Sequence, residues 1–154
     1  MNRNLIALDY GRRRVGVAGC GGEVSLAFGI TTLTIRGLKD LLAQLNPILK
    51  ERHCREILIG FPLTLGNKPG PLAPEILSLA RQLEAEGLTV HLVDEALSSR
   101  RAAGILRQRG KRARKGDCDR TSAALLLQEY LDGLLPPISC AEISRLQLKN
   151  SEED

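Results

Sequence analysis

Aromatic residues make up 3% of this 154-residue chain, with two Tyr, two Phe and no Trp. So few rings leave Leu, Ile, Val and Ala to fill the core. They also remove the stacking platforms on which many single-strand binders hold bases. The four cysteines, Cys20, Cys54, Cys118 and Cys140, contain no Cys-x-x-Cys pair, and His53 and His91 are the only histidines. That argues against zinc-finger and zinc-ribbon sites. No apolar run approaches the roughly 20 residues that cross a bilayer, and no signal-peptide pattern opens the chain. The expectation is a cytoplasmic protein with reduced thiols and no membrane partner. A Walker A phosphate loop is missing too, and there is no internal repeat.

What is present is a chain long enough for one domain, with 43% apolar residues. Its net charge of +4 is unevenly spread. Residues 100–115 read RRAAGILRQRGKRARK, eight basic residues with no acidic one. Arg12, Arg13 and Arg14 form a second basic group, and Glu152-Glu153-Asp154 closes the chain with acid. A basic run is often only a solvated surface. Clustered Lys and Arg also gain affinity for phosphate backbones by releasing counterions, so nucleic acid is the expected partner.

The apolar pattern predicts strands at residues 4–10, 14–20 and 24–35, the last broken by Gly29, joined by links short enough for antiparallel hairpins. Leu38, Leu41, Leu42, Leu45, Ile48 and Leu49 recur at helical spacing. A strand at 55–61 runs into Pro62 and a Gly- and Pro-rich loop reaching Pro71. A helix over 72–86 stops at Gly87, and TVHLVD at 89–94 is the fifth strand. Ser98 or Ser99 suits the cap of a helix running to Arg109. Residues 110–118 read as a mobile segment. Asp119 opens a last helix to Leu134, ended by Pro136-Pro137. This order predicts an α/β fold with both sheet faces covered. The domain is expected over residues 1–135, with 136–154 a marginally ordered tail.

Asp9 ends the first strand in the run ALDYGRRRVGVA. A carboxylate at the end of a buried strand is costly without a cationic partner. Asp94 and Glu95 close the fifth strand, and Asp117 and Asp119 lie at the start of the last helix. Carboxylates from distant segments suit hard divalent cations such as Mg²⁺ or Mn²⁺, which serve phosphodiester hydrolysis. Each has a plainer role as well. Asp9 suits a turn beside Gly11, Glu95 a salt bridge to Arg100 or Arg101, and Asp119 a helix cap.

Four segments in order, ALDYGRRRVGVA, ILIGFPLTLGNKPG, VDEALSS and KGDCDRTSAALLLQEYL, resemble the YqgF/RuvX family. These are RNase H-like bacterial proteins described as Holliday junction resolvases and pre-16S rRNA nucleases. The match covers roughly residues 4–133. The resemblance implies an RNase H-like fold: a mixed five-stranded sheet in order 3-2-1-4-5, its first three strands antiparallel, flanked by helices. It implies an acidic triad at Asp9, Glu95 and Asp119 holding Mg²⁺ or Mn²⁺. It also implies hydrolysis at the 5′ end of pre-16S rRNA, with resolution of four-way DNA junctions as the alternative. A non-catalytic RNA-binding or ribosome-assembly module is a further alternative. Arg12, Arg13, Lys68, Arg100, Arg101, Lys111, Arg112, Arg114 and Lys115 are the candidate nucleic-acid contacts. Two departures stand out: Arg12 replaces a small polar residue, and Ala96 replaces the family's Arg, a loss that Arg100 or Arg101 is placed to offset. The D-x-G-x-x-x-x-G spacing also resembles the first phosphate loop of actin-like kinases, which clamp nucleotide between two such domains. A monomer or weak homodimer is expected, and no heptad or apolar interface stripe chooses between the two.

Overall fold

Leu5–Asp9 forms the central strand, β1, and its neighbours follow from hairpin and crossover geometry. The computed structural model describes residues 4–21, 24–61, 71–94 and 115–138, without the side chains of 24–25 and 115–119. β2 (Arg14–Gly21) and β3 (Val24–Thr34) continue the meander, followed by α1 (Leu38–Glu51), β4 (Glu56–Phe61), α2 (Ala73–Ala85), β5 (Thr89–Asp94) and α3 (Lys115–Leu131). The sheet order is β3-β2-β1-β4-β5. β1–β2 and β2–β3 pair antiparallel, whereas β1–β4 and β4–β5 pair parallel. The mixed sheet with three antiparallel leading strands is therefore borne out, as is its RNase H-like order.

Period-two alternation divides the core into two layers. Ile6, Leu8, Val15, Val17, Ile57, Ile59, Phe61 and Leu92 face Leu41, Leu45 and Leu49 of α1 and Ile76, Leu79 and Leu83 of α2. Leu5, Ala7, Ala18, Cys20, Leu58 and Val93 face Ala123, Leu126 and Leu127 of α3. β1 is covered on both faces, which is why LIAL reads as a continuous apolar run rather than an alternating one. Each fully buried Leu or Ile contributes about 1.5–3 kcal/mol relative to exposure. Phe61, at 1% exposure, is the one aromatic side chain among the largest fully buried ones, so the core is aliphatic as composition requires.

Gly87, at φ 90, stops α2: Leu88 N–H donates to Leu83 O and Gly87 N–H to Glu84 O, the paired bonds of a glycine-terminated helix. Three expectations need correction. Gly29 does not break the third strand. β3 runs through it with a register shift opposite Val17 and Ala18. The glycine is needed because a Cβ there would lie 2.7 Å from Arg120 Cγ of α3. Residues 115–118, expected in a mobile segment, are the first turn of α3. Acidic positions 117 and 119 are electrostatically suited to a helix N-terminus. Finally, α3 ends at Leu131, before the prolines, with Gly133 N–H donating to Tyr130 O and Leu134 N–H to Glu129 O. The chain then runs past Pro136-Pro137 to Ile138, whose N–H donates to Leu92 O of β5 at 2.7 Å. No helix among the described residues is long and apolar enough to cross a membrane.

Candidate active site

Asp9 is the last residue of the central strand, half-buried, with its side chain on the α3 face alongside Leu5 and Ala7. Gly16 stands opposite it on β2. The β1–β4 register, with Leu8 opposite Ile59, brings Gly60 beside it on the other strand. Both cross-strand neighbours of the carboxylate therefore lack side chains, which leaves room for a ligand against it. The position also fits the general rule that open α/β sheets bind ligands beyond the C-terminal ends of their parallel strands.

A tight turn follows. A Cβ on Gly11 would lie 2.6 Å from Arg14 O, so only glycine fits where the chain doubles back. Tyr10 is 5% exposed and points into the opposite core layer, anchoring the turn below the sheet. Its hydroxyl donates to Glu75 Oε1 at 3.0 Å, and Arg12 Nε donates to Glu75 Oε2 at 2.9 Å. Burial, with the hydrogen bond and charge of Glu75, pushes the Tyr10 phenol up to about 12. The Arg12 guanidinium holds the Glu75 carboxyl below its ordinary range. Glu75 lies in the first turn of α2, so this network ties the Asp9 turn to the helix after β4. On the other side, Ile35 N–H donates to Arg13 O at 2.8 Å.

The helix α3 crosses the same sheet face. Arg120 packs over Gly29, and Gln128 Oε1 accepts from Ala27 N–H at 2.8 Å. Gly29 stands opposite Ala18, and Ala18 opposite Ala7, two residues before Asp9. From Arg120 towards its start, α3 thus rises to the sheet edge that carries Asp9.

The family model described as RuvX, Holliday junction resolvase, matches residues 3–133. The chain belongs to the RuvX family. It is 40% identical over 132 residues to a protein of Thermosynechococcus vestitus named "Putative pre-16S rRNA nuclease", covering 84% of this chain and 87% of that one. A Synechocystis protein of the same name is 35% identical over 130 residues, covering 82% and 86%. Thermus thermophilus RuvC, solved in complex with Holliday junction substrate, matches with a TM-score of 0.53 at 13% identity, over 88% of this chain and 99% of that chain. At that identity the likeness is one of fold.

The expected site residues of this RuvX-family chain fall into three groups. Asp9 is described in full. Asp119 is placed by its backbone in the second turn of α3, and Lys115 at its first residue, without their side chains. Glu95, Lys68, Arg100, Arg101, Lys111, Arg112 and Arg114 lie outside the described residues, as do Ala96 and the expected helix ending at Arg109. Among the described residues no group of three metal-ligating side chains occurs. Arg12 and Arg13 are exposed beside Asp9, with Arg12 engaged by Glu75.

Asp94 pairs with Phe61 at the end of β5. Val93 faces α3 and Leu92 faces the other layer, so Asp94 shares the face of Leu92 and not that of Asp9. Two contributors to the Asp9 turn were missed in the sequence. Tyr10 and Glu75 are 65 residues apart, and no periodicity reports such a contact. Arg14 was legible, since alternation with Gly16 and Ala18 puts it on Asp9's face. An open cavity of about 560 Å³, lined by Asn46, Lys50, His53, Arg55 and Glu86 among others, sits at the opposite, N-terminal ends of β4 and β5. It is remote from Asp9. Cys54, on its wall, is buried with its thiol pushed up chiefly by desolvation, which makes it core filling rather than a nucleophile.

Proposed function

We propose that this chain is a divalent-metal-dependent nuclease that hydrolyses phosphodiester bonds, and that its substrate is the 5′ end of pre-16S rRNA. The observation that carries the reading is the setting of Asp9. It is a carboxylate at the C-terminal edge of the central strand, flanked by two glycines, on the face that α3 covers. Membership of the RuvX family and the names of the curated relatives support the nuclease chemistry and the RNA substrate.

Asp9, Glu95 and Asp119 would hold Mg²⁺ or Mn²⁺. An all-oxygen donor set is what these hard ions take. Asp94 lies on the opposite face from Asp9, which leaves Glu95, the residue the family resemblance picks, for this role. When bound, such an ion supplies Lewis acidity at the reacting phosphate. The chain's own part is to fix the carboxylates. β1 holds Asp9 through pairing on both sides, and the Gly11 turn, pinned by Tyr10, Arg12 and Glu75, keeps the following backbone clear of the substrate path. The cationic segment 100–115 would counter the repulsion between clustered carboxylates and a polyanion.

The test is a cleavage assay with Mn²⁺ or Mg²⁺ on labelled 5′-extended 16S rRNA leader and on a four-way DNA junction, with Asp9→Asn as the matched variant. Metal-dependent cutting of the leader that vanishes in Asp9→Asn is the expected result. Cutting of the junction alone would transfer the substrate to branched DNA, in line with the family's description as Holliday junction resolvase. Undiminished cutting by Asp9→Asn would overturn the site. Tight RNA binding without cutting of either substrate would leave a non-catalytic RNA-binding module.

A further inference from the structure

Beyond Asp9, the α3 face of the β2–β3 hairpin carries a short polar ledge. β2 alternates cleanly, with Val15 and Val17 in one layer and Ala18 and Cys20 in the other, so Arg14 and Gly16 share the face of Asp9. Across the ladder, Thr32 stands opposite Gly16 and Thr34 opposite Arg14. α3 covers this face at Ala18, Gly29 and Ala27, whereas Arg14 and Thr34 are exposed and Thr32 is partly so. The ledge is a guanidinium, two hydroxyls and a glycine, with no apolar side chain. It offers nothing to a packed protein partner and much to a chain of phosphates. Gln44 Nε2 donates to Thr34 O, and Arg36 N–H donates to Asp40 Oδ2, so the end of β3 is braced against α1.

Strand geometry sets the scale. Arg14 is two residues along β2 from Gly16, which is directly opposite Asp9. The Cα atoms of Arg14 and Asp9 are therefore roughly 8–9 Å apart. An arginine side chain spans most of that distance, which is long enough to reach a phosphate next to one lying at Asp9.

We propose that Arg14, with Thr32 and Thr34, is a backbone-phosphate subsite that grips the substrate strand one nucleotide away from the bond cut at Asp9. This rests on the nuclease reading above. Contacts of this kind position a strand without reading its bases. The occupant is argued from charge: an exposed guanidinium and two hydroxyl side chains on the strands beside a site for a polyanion. Arg12 turns to Glu75 of α2 and Arg13 lies off this face, so Arg14 is the member of the arginine triplet that shares the face of Asp9.

The experiment measures binding of a mixed-sequence single-stranded RNA oligonucleotide against salt, in the Asp9→Asn background, with cleavage followed in parallel in the otherwise unmodified chain. Arg14→Ala should weaken binding about tenfold at low salt, as expected for a charged hydrogen bond. It should also flatten the log–log salt dependence by about 0.7, the value for one phosphate contact to a single strand. In cleavage, KM should rise with little change in kcat. Arg14→Lys should keep most of the slope, and Thr34→Glu, on the other strand, should weaken binding by placing a carboxylate on the ledge. Arg81→Ala, exposed on α2 across the sheet, should change nothing. An unchanged slope in Arg14→Ala together with unchanged binding in Thr34→Glu overturns the subsite, even where metal-dependent, Asp9-dependent cutting is intact. A chain that does not cut, or cuts equally with Asp9→Asn, overturns the nuclease reading instead, whatever the salt slopes show. Failure of the Asp9→Asn chain to bind the oligonucleotide at all overturns the subsite as well.

Discussion

Gly11→Ala tests whether the turn after Asp9 is held by close packing. The added methyl would lie 2.6 Å from the carbonyl oxygen of Arg14. Ordinary carbon–oxygen contacts sit near about 3.3 Å, so the turn must open by about 0.7 Å. Three anchors resist that movement. Tyr10 is packed in the core, Arg12 is bonded to Glu75, and Arg13 O accepts from Ile35 N–H. Forcing atoms into such a setting costs about 1–3 kcal/mol. Replacing glycine also stiffens the unfolded chain, which favours folding by about 0.4–1 kcal/mol. The clash wins, leaving a net loss of about 1–2 kcal/mol and a fall in Tm of about 3–6 °C for a domain of this size. Since the turn starts at Asp9, cleavage should fall by more than stability does; a misplacement of about 1 Å costs on the order of a hundredfold. The comparator is Gly21→Ala, where no described atom lies within 4 Å of the new Cβ. It should be neutral or slightly stabilising. Thermal unfolding and cleavage rates of both variants decide the matter. If Gly11→Ala melts with or above the parent chain and cuts at the parent rate, the close-packed turn is refuted.

Further outcomes follow from the same contacts. The Tyr10 phenol is raised to about 12, so the folded state favours its neutral form. Its contribution to stability should be complete below pH 10, the unfolded value, and lost as pH rises from about 10 to about 12. Urea midpoints across that range check the sign, and Glu75→Gln should narrow the window by moving tyrosinate formation towards 10. Glu75 works in the other direction: its lowered carboxyl contributes above its ordinary value and fades as pH falls through the acid range, an effect kept small by solvent screening. Leu45→Ala, fully buried between α1 and the sheet, should cost about 2–5 kcal/mol in denaturant unfolding. Ile138→Pro removes the N–H that bonds Leu92 O and should cost about 1–2 kcal/mol; an unchanged midpoint would mean that the contact at the β5 edge contributes nothing.

The strands were legible because each buries one or both faces, and burial writes itself into period two. LIAL, VGVA and ILIG announce β1, β2 and β4 without reference to anything distant. Asp9 was legible for the same reason: it is the residue at which an apolar run meets a charge. The start of α3 was not. KGDCD has the glycine and charge density of a loop, and its helical state depends on continuity with the apolar face that begins at Ala123. Gly29 misled for a related reason. Its lack of a side chain serves a helix ninety residues away rather than the local strand. The Tyr10–Glu75–Arg12 network was invisible because it joins β1 to α2 across the β4 crossover.

That network explains the most conspicuous departure from the family pattern. Arg12 spans to Glu75, and Glu75 simultaneously holds the buried hydroxyl of Tyr10. The two side chains flank Gly11, so the carboxylate of Glu75 closes the turn from outside. The consequence for the arginine triplet is a division of tasks along the strand. Arg12 stabilises the turn, Arg13 contributes its carbonyl to Ile35, and Arg14 stands on Asp9's face. Parity also separates Asp94 from Asp9, since Asp94 belongs to the layer of α1 and α2.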